Sequence, residues 1–233
     1  MKKPLLDCAH CTSRRLGVFC GLAGGCVDEL NKGKTTNVYS AKQVVFYEGN
    51  APFGIYCIFS GKVKLYKTGK GGQQQIVRIA QPGDILGYRS VLADEPYHAT
   101  AEALEDANIC FIEKSAFQSV LGKDPAATAK VMKKISKELG EAENRIISIV
   151  QKSVKQRLAE VLCLLMRKFE GKKKGDISLS LSREELAELA DTTQETAMRL
   201  LSEFKDKKYI NVDGRHISIL DPPALFKLAD LEY

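Results

Sequence analysis

Between residues 38 and 117, short runs of β-type residues alternate with turn signals. The runs 44–47, 55–59, 62–66, 75–79, 99–103 and 109–112 are punctuated by Glu48-Gly49-Asn50, Ser60-Gly61, Gly69-Lys70-Gly71-Gly72 and Pro82-Gly83-Asp84. Strands this short and this regularly spaced predict an antiparallel barrel or jelly roll. Residues 62–66 alternate polar with apolar side chains, the pattern of a half-buried strand. The glycines of 69–72 read as a hairpin tip. A phosphate-binding loop is the rival reading, and it lacks both the following helix and the Lys-Ser/Thr pair.

After Lys123-Asp124-Pro125 the period changes. Met132, Ile135, Leu139, Ala142, Ile146 and Ile149 are spaced 3, 4, 3, 4, 3 and flanked by Lys133, Lys134, Lys137, Glu138, Glu141 and Glu143. This is the narrow seam of a helix that pairs with a second copy, with packing on the chain's own barrel as the alternative. Glu138, Glu141 and Glu143 either repel across such a dimer or pair with Lys134, Lys137 or Arg145. A second amphipathic helix over 154–169 carries Leu158, Val161, Leu162, Leu165 and Met166, and the lysine run after it, 170–175, reads as a solvated turn.

Ser182 followed by Glu185 is a capping box that opens a short helix over 183–190. Asp191-Thr192 interrupts it, and Thr193 caps a second helix from 194 to about 208 with Ala197, Leu200, Leu201 and Phe204 inward. The runs 209–212 and 216–219 around Asp213-Gly214 add a β-hairpin, which completes a winged helix-turn-helix. Its outward residues are Thr193, Gln194, Glu195, Met198, Arg199 and Ser202, where a recognition helix meets base edges. Arg199 suits guanine, Glu195 cytosine, and Gln194 adenine or a phosphate. The bland alternative makes Glu195 and Arg199 an i,i+4 surface ion pair.

Composition sharpens this picture in two ways. The chain has 233 residues, 44% hydrophobic and 27% charged, with a net charge of +6, ordinary for one large or two smaller globular domains. Residues 151–233 carry 15 basic and 14 acidic side chains, so affinity for double-stranded DNA has to come from a few placed residues and from dimeric pairing. Seven cysteines are present, and Cys8, Cys11, Cys20 and Cys26 crowd the first 26 residues. The N-terminus lacks a secretory apolar stretch and no run is long enough for a membrane helix, so a cytoplasmic protein with reduced thiols is expected, without a membrane partner. Clustered thiols there bind metal or sense redox state. An enzyme is not expected. A small metalloenzyme built on these cysteines is a remote rival, with only His10, His98 and His216 to help and no His-Glu-x-x-His, Ser elbow or nucleotide loop.

A cysteine cluster, jelly roll, heptad helix and winged helix-turn-helix in this order resemble the CRP/FNR family of bacterial transcription regulators across essentially the whole chain. Residues 81–88 (QPGDILGY), 154–159 (VKQRLA) and 194–200 (QETAMRL) are similar to the family's barrel turn, helix entry and recognition helix. The resemblance implies an α+β fold: an N-terminal double-stranded β-helix (jelly roll) sensor domain, a long dimerisation helix and a C-terminal winged helix-turn-helix. The expected boundaries are 1–30 for the cysteine-rich segment, 31–122 for the barrel, 123–152 for the helix and 153–233 for the DNA-binding domain. It implies a homodimer, pseudo-palindromic DNA with TGA/TCA-type half-sites read by Glu195 and Arg199, and contact with RNA polymerase. Met198 stands where the FNR branch commonly has Ser, so the flanking base is open.

Members that bind cyclic AMP use a Gly-Glu and an Arg-Ser pair, which here read Gly87-Tyr88 and Tyr97-His98. Cyclic AMP is therefore not expected, and another ligand of the barrel stays open. The FNR branch instead holds an oxygen-sensing [4Fe-4S] cluster on three N-terminal cysteines and one in the barrel. By that resemblance the ligands are Cys8, Cys11, Cys20 and Cys110, with Cys26 as the alternative fourth. The first set ties a cluster to the barrel, and the second suits zinc equally. Oxygen or nitric oxide acting on such a cluster would shift the dimer and release DNA. The rival keeps DNA binding and gives the cysteines to zinc, thiol oxidation or no regulatory role. His10 reads as solvated, Arg14 and Arg15 as charge-compensating or surface groups, and Cys57 and Cys163 as buried, inert core residues.

Overall fold

The computed structural model describes residues 7–170, 175–177 and 179–232. Residues 1–6, on which the reading of the N-terminus partly rests, and most of the lysine run, 171–174, lie outside them. The chain forms two compact units, Met1–Gly140 and Glu141–Tyr233.

In the first unit a 3-10 turn, Ser13–Leu16, and helix α1, Gly24–Lys32, precede the strands β1 Lys34–Tyr39, β2 Val44–Phe46, β3 Gly54–Ser60, β4 Val63–Thr68, β5 Gln74–Ala80 and β6 Ile85–Leu86. Helix α2, Tyr88–Ala93, then β7 Thr100–Ala103, β8 Ala107–Glu113 and helix α3, Lys114–Lys123, follow. Two four-stranded antiparallel sheets, ordered β1-β8-β3-β6 and β2-β7-β4-β5, make the jelly roll. Period-two alternation sorts β3 and β8. Ile58 and Ile109 join Phe46, Leu65 and Tyr97 in the core between the sheets, while Ile55 and Ile112 turn to the other face, against Phe19, Leu30, Phe117 and Val131. Strand β4 is less simple than its alternation: Lys64 is only 6% exposed and is kept by Glu102 at 3.3 Å, its cross-strand partner on β7.

The cysteine segment is docked on this barrel through two glycines. A Cβ on Gly17 would lie 2.1 Å from the Gly83 carbonyl oxygen, and one on Gly83, at φ +92°, would meet Leu16 Cβ at 2.8 Å. Beside them the Ser13 hydroxyl donates to Phe59 O at 2.6 Å.

Helix α4, Pro125–Gln151, begins in the first unit and ends in the second. The second unit continues with α5 Val154–Lys168, α6 Arg183–Leu189, α7 Gln194–Asp206, β9 Ile210–Asp213, β10 His216–Ile219 and α8 Pro222–Leu228. Strands β9 and β10 pair antiparallel with His216 opposite Asp213, which forms the wing. Helix α8 is an element that the apolar pattern did not suggest, although its signals are local: Asp221 caps it by accepting from Ala224 N at 3.0 Å, and Pro222 is its first residue. Strand β1, helices α1 and α2 and the two-residue β6 are likewise elements that the apolar pattern does not single out, all of them short.

Candidate functional site

Helix α7 starts at Thr193, whose side chain accepts from Thr196 N at 3.3 Å. Ala197, Leu200, Leu201 and Phe204 are buried, and Thr193, Gln194, Glu195, Met198, Arg199 and Ser202 are all exposed on the opposite face. Among the described residues no ion pair joins Glu195 to Arg199, so the bland reading of that pair is not realised in this structure. In front of α7, the capping box of α6 has both its bonds, Glu185 N to Ser182 Oγ at 3.1 Å and Ser182 N to Glu185 Oε2 at 2.7 Å.

The turn between α6 and α7 holds Asp191 at φ +53° and is clamped from two helices. Arg157 of α5 donates from Nε to Ala190 O at 3.1 Å, from Nη2 to Asp191 O at 2.9 Å and from Nη1 to Lys152 O at 3.0 Å. Arg145, in the last turns of α4, donates to Leu189 O at 3.3 Å and to Asp191 Oδ1 at 3.2 Å. These cations satisfy carbonyls that a helix C-terminus leaves without partners. The sequence motif contains Arg157 but says nothing of this role.

Along α4 the seam is uneven. Met132, Leu139, Ile146 and Ile149 are 64%, 60%, 62% and 44% exposed, and Ala142 is exposed. Ile135 instead packs partly against the barrel's outer core beside Val131. Glu138 is not a source of uncompensated repulsion: Arg78 of β5 holds it at 2.7 Å and Lys134 at 3.4 Å. The same two cations hold Asp84, in the turn before β6, at 3.1 and 2.8 Å. Burial works to raise the Asp84 carboxyl, but Arg78 and then Lys134 more than offset it and leave its pKa lowered. Arg145 is committed to Asp191 rather than to a glutamate of α4.

The cysteines divide differently from the expected sets. A cavity of about 40 Å³ on the outer face of the first sheet is lined by Cys8, Cys11, Cys57 and Cys110, together with Arg14, Lys34, Phe19, Leu30, Ile85 and Ile112. Cys20 and Cys26 are not in its wall; Cys26 is buried in α1. Cys57, read from sequence as inert core, stands opposite Cys110 across β3 and β8. Its apolar neighbours hid the cross-strand partner that gives it company. Burial pushes the Cys8, Cys57 and Cys110 thiols up, and neighbouring thiols add to the effect at Cys57. Arg14 is a structural clamp on this loop, donating from Nε to Cys8 O at 2.7 Å and from Nη1 to Phe19 O at 3.1 Å. Arg15 is exposed, and His10 is a solvated partner of Asp7 at 2.9 Å. Cys163 is fully buried in the other unit, its thiol pushed up to about 12 by burial.

Among the described residues no three His, Cys, Asp or Glu side chains are grouped to hold a metal ion in this conformation; the four thiols surround the cavity. As a donor set, four soft thiols in an apolar wall with two cations beside them fit an iron-sulfur cluster.

The position expected from cyclic AMP-binding members is a second cavity, lined by Phe46, Arg78, Tyr88, Arg89, Ser90, Tyr97 and His98 among others. Tyr97 stacks on Phe46 with ring centroids 4.1 Å apart, and its hydroxyl donates to Gly54 O at 2.9 Å. Aromatic rings thus occupy part of the barrel interior. No helix among the described residues is long and apolar enough to cross a membrane.

Comparison with known proteins agrees with the architecture. Residues 36–124 match the cyclic nucleotide-binding domain and residues 156–228 the Crp-like helix-turn-helix domain. The fumarate and nitrate reduction regulatory protein of Vibrio cholerae is 29% identical over 189 residues, covering 80% of this chain and 75% of the relative. The CRP-like cAMP-activated global transcriptional regulator of Mycobacterium tuberculosis is 24% identical over 217 residues, covering 92% and 97%. FixK2 from Bradyrhizobium japonicum shares the fold, with a TM-score of 0.78 at 24% identity over 86% of this chain and 99% of that one. These relatives are regulators rather than enzymes. With a jelly roll, a long helix and a winged helix-turn-helix in that order, the chain belongs to the CRP/FNR family of DNA-binding transcription regulators.

Proposed function

We propose that the chain works as a homodimer that reads a pseudo-palindrome of TGA/TCA-type half-sites about one helical turn apart, and that a redox- or oxygen-sensitive cysteine site, rather than cyclic AMP, switches it. The observation that carries DNA reading is the outward face of α7, with six exposed side chains opposite four buried ones on a capped helix. Arg199 bonds bidentately to guanine, Glu195 accepts from cytosine, and the exposed Met198 offers an apolar contact to a thymine methyl. Arg199→Ala is expected to lose about 1–3 kcal/mol on a TGA-N-TCA type duplex and to relax discrimination at one base pair. Fluorescence anisotropy with matched and mismatched duplexes measures it, and an unchanged ratio between them counts against Arg199 as a base reader.

Dimerisation rests on the exposed apolar row of α4. An Asp at Leu139 would face its counterpart across the seam, so Leu139→Asp is expected to turn the dimer into a monomer in sedimentation equilibrium. A variant that remains dimeric moves the interface elsewhere.

Cys8, Cys11 and Cys110 would hold an iron-sulfur cluster in the cavity they share. Such a cluster, when bound, supplies a redox-active and oxygen-labile element. The chain's own part is the docking: Ser13 ties the cysteine segment to β3, the Gly17/Gly83 approach seats it on the turn that contains Asp84, and Asp84 is tied through Lys134 to α4. A change in that segment therefore has a short physical route to the helix proposed to form the dimer. Anaerobic purification tests the sensor reading. Brown protein with bound iron and sulfide, bleaching in air, supports it; colourless protein without iron leaves a DNA-binding regulator whose cysteines serve zinc or thiol chemistry.

A further inference from the structure

We propose that Cys57 is the fourth thiol of the sensor cavity, so that a cluster is held by Cys8, Cys11, Cys57 and Cys110 and by neither Cys20 nor Cys26. This rests on the cluster reading above and names its ligands.

Cys57 and Cys110 are Cα partners on neighbouring antiparallel strands. Directly opposite residues project to the same face of a sheet with their Cβ atoms about 4.5–5.5 Å apart. Ile55 and Ile112, two residues away on each strand, lie in the outer core against α1 and α3, so period-two alternation turns both thiols to that side. The loop pair meets them there: Cys8 and Cys11 line the same cavity. Their turn is closed by Cys11 N donating to Cys8 O at 3.4 Å, and Arg14 N donates to Cys11 Sγ at 3.3 Å. Two thiols thus come from a clamped loop and two from paired strands, the more rigid source of a precise site.

The remaining N-terminal cysteines are outside the cavity wall. Cys20 is half-buried, with its backbone carbonyl accepting from Lys130 Nζ of α4, and Cys26 is 7% exposed within α1, in the core with Val27 and Leu30. Charge points the same way. Four thiols that become thiolates on binding leave a cluster site negative, and Arg14 and Lys34 are the cations in the cavity wall.

The test is anaerobic loading of the full-length chain with ferrous iron and sulfide, followed by iron and acid-labile sulfide counts and the visible spectrum. The double variant Cys20→Ser/Cys26→Ser leaves Cys57 untouched and is expected to load to the wild-type level. Cys57→Ser, and Cys57→Ala as the less polar replacement, are expected to load at less than about a quarter of it, with circular dichroism reporting that each is folded. Loss of iron in the double variant overturns the proposal, as does full loading of folded Cys57→Ala. A wild-type chain that takes up no iron and sulfide, or takes up one zinc when offered zinc alone and no cluster, overturns the underlying cluster reading as well. Full wild-type loading with a fully loaded Cys57 variant overturns only the assignment of Cys57.

Discussion

Arg157→Ala is expected to destabilise the unit of residues 141–233 by about 3–5 kcal/mol and to abolish specific DNA binding. Arg157 makes three charge-assisted bonds to backbone carbonyls, two of them in the turn between α6 and α7. A hydrogen bond to a charged group contributes about 1.5–3 kcal/mol, and water recovers part of that at a half-buried site. The turn carries Asp191 in the left-handed region, a conformation that a non-glycine residue keeps only when its surroundings impose it. Without Arg157 only one nitrogen of Arg145 remains on the turn, with longer bonds to Leu189 O at 3.3 Å and Asp191 Oδ1 at 3.2 Å, so the orientation of α7 is lost before its own helix melts. Thermal unfolding followed by circular dichroism reads the stability, and anisotropy on the matched duplex reads the binding. Arg157→Lys is a sharper control: an ammonium keeps the charge but cannot reproduce the fork, and less than half of the loss should be recovered. A melting curve within 1 kcal/mol of wild type would remove the clamp from this account.

Asp84→Asn is expected to cost the barrel unit about 3 kcal/mol, the lower end of the range for removing one partner of a buried ion pair. Asn keeps the bond from Gln81 N, which Asp84 accepts at 3.0 Å, so the loss isolates the charge. Arg78 and Lys134 are then left to Glu138 alone, and side chains that are 12–21% exposed have little water to take its place. The pH dependence has a definite sign. The Asp84 pKa is lowered in the folded chain, so its contribution is complete above the unfolded carboxylate value of about 4 and is lost as the pH falls through the folded value. Urea midpoints between pH 7 and pH 3 should converge for wild type and Asp84→Asn at the acid end. Parallel curves would mean that the network does not hold the turn. Because this turn also carries Gly83 against the cysteine segment, the variant should bind DNA with weakened dependence on the state of the cysteines.

Much of this was legible in linear order. Period two in 55–59 and 109–112, period 3.6 over 154–169 and the seam of α4 are properties of neighbouring residues, and so are the capping box at Ser182 and the inward face of α7. The resemblance to a known family rested on such local motifs. What escaped is of two kinds. Strand β1 and α1 do carry local signals, Thr35, Thr36, Val38 and Tyr39 in the strand and Cys26, Val27 and Leu30 on one helix face, but these elements are short. Lys64 reads as a solvent-facing polar position, yet Glu102 makes its burial tolerable. Spacing along the chain groups Cys20 with Cys8 and Cys11 and apolar neighbours set Cys57 apart, whereas strand register brings Cys57 beside Cys110 at the cavity that Cys8 and Cys11 line.

Periodicity and caps, which act within a few residues of the chain, set the order of the elements, the class of the fold and the side chains that α7 turns outward. Tertiary structure alone decided which thiols share a cavity, which cation clamps the turn before α7 and where the charge of Glu138 goes. Each of those depends on strand register or helix packing between residues far apart in the chain, 33 positions for Arg157 and Ala190, 53 for Cys57 and Cys110 and 60 for Arg78 and Glu138, and no local pattern encodes that distance.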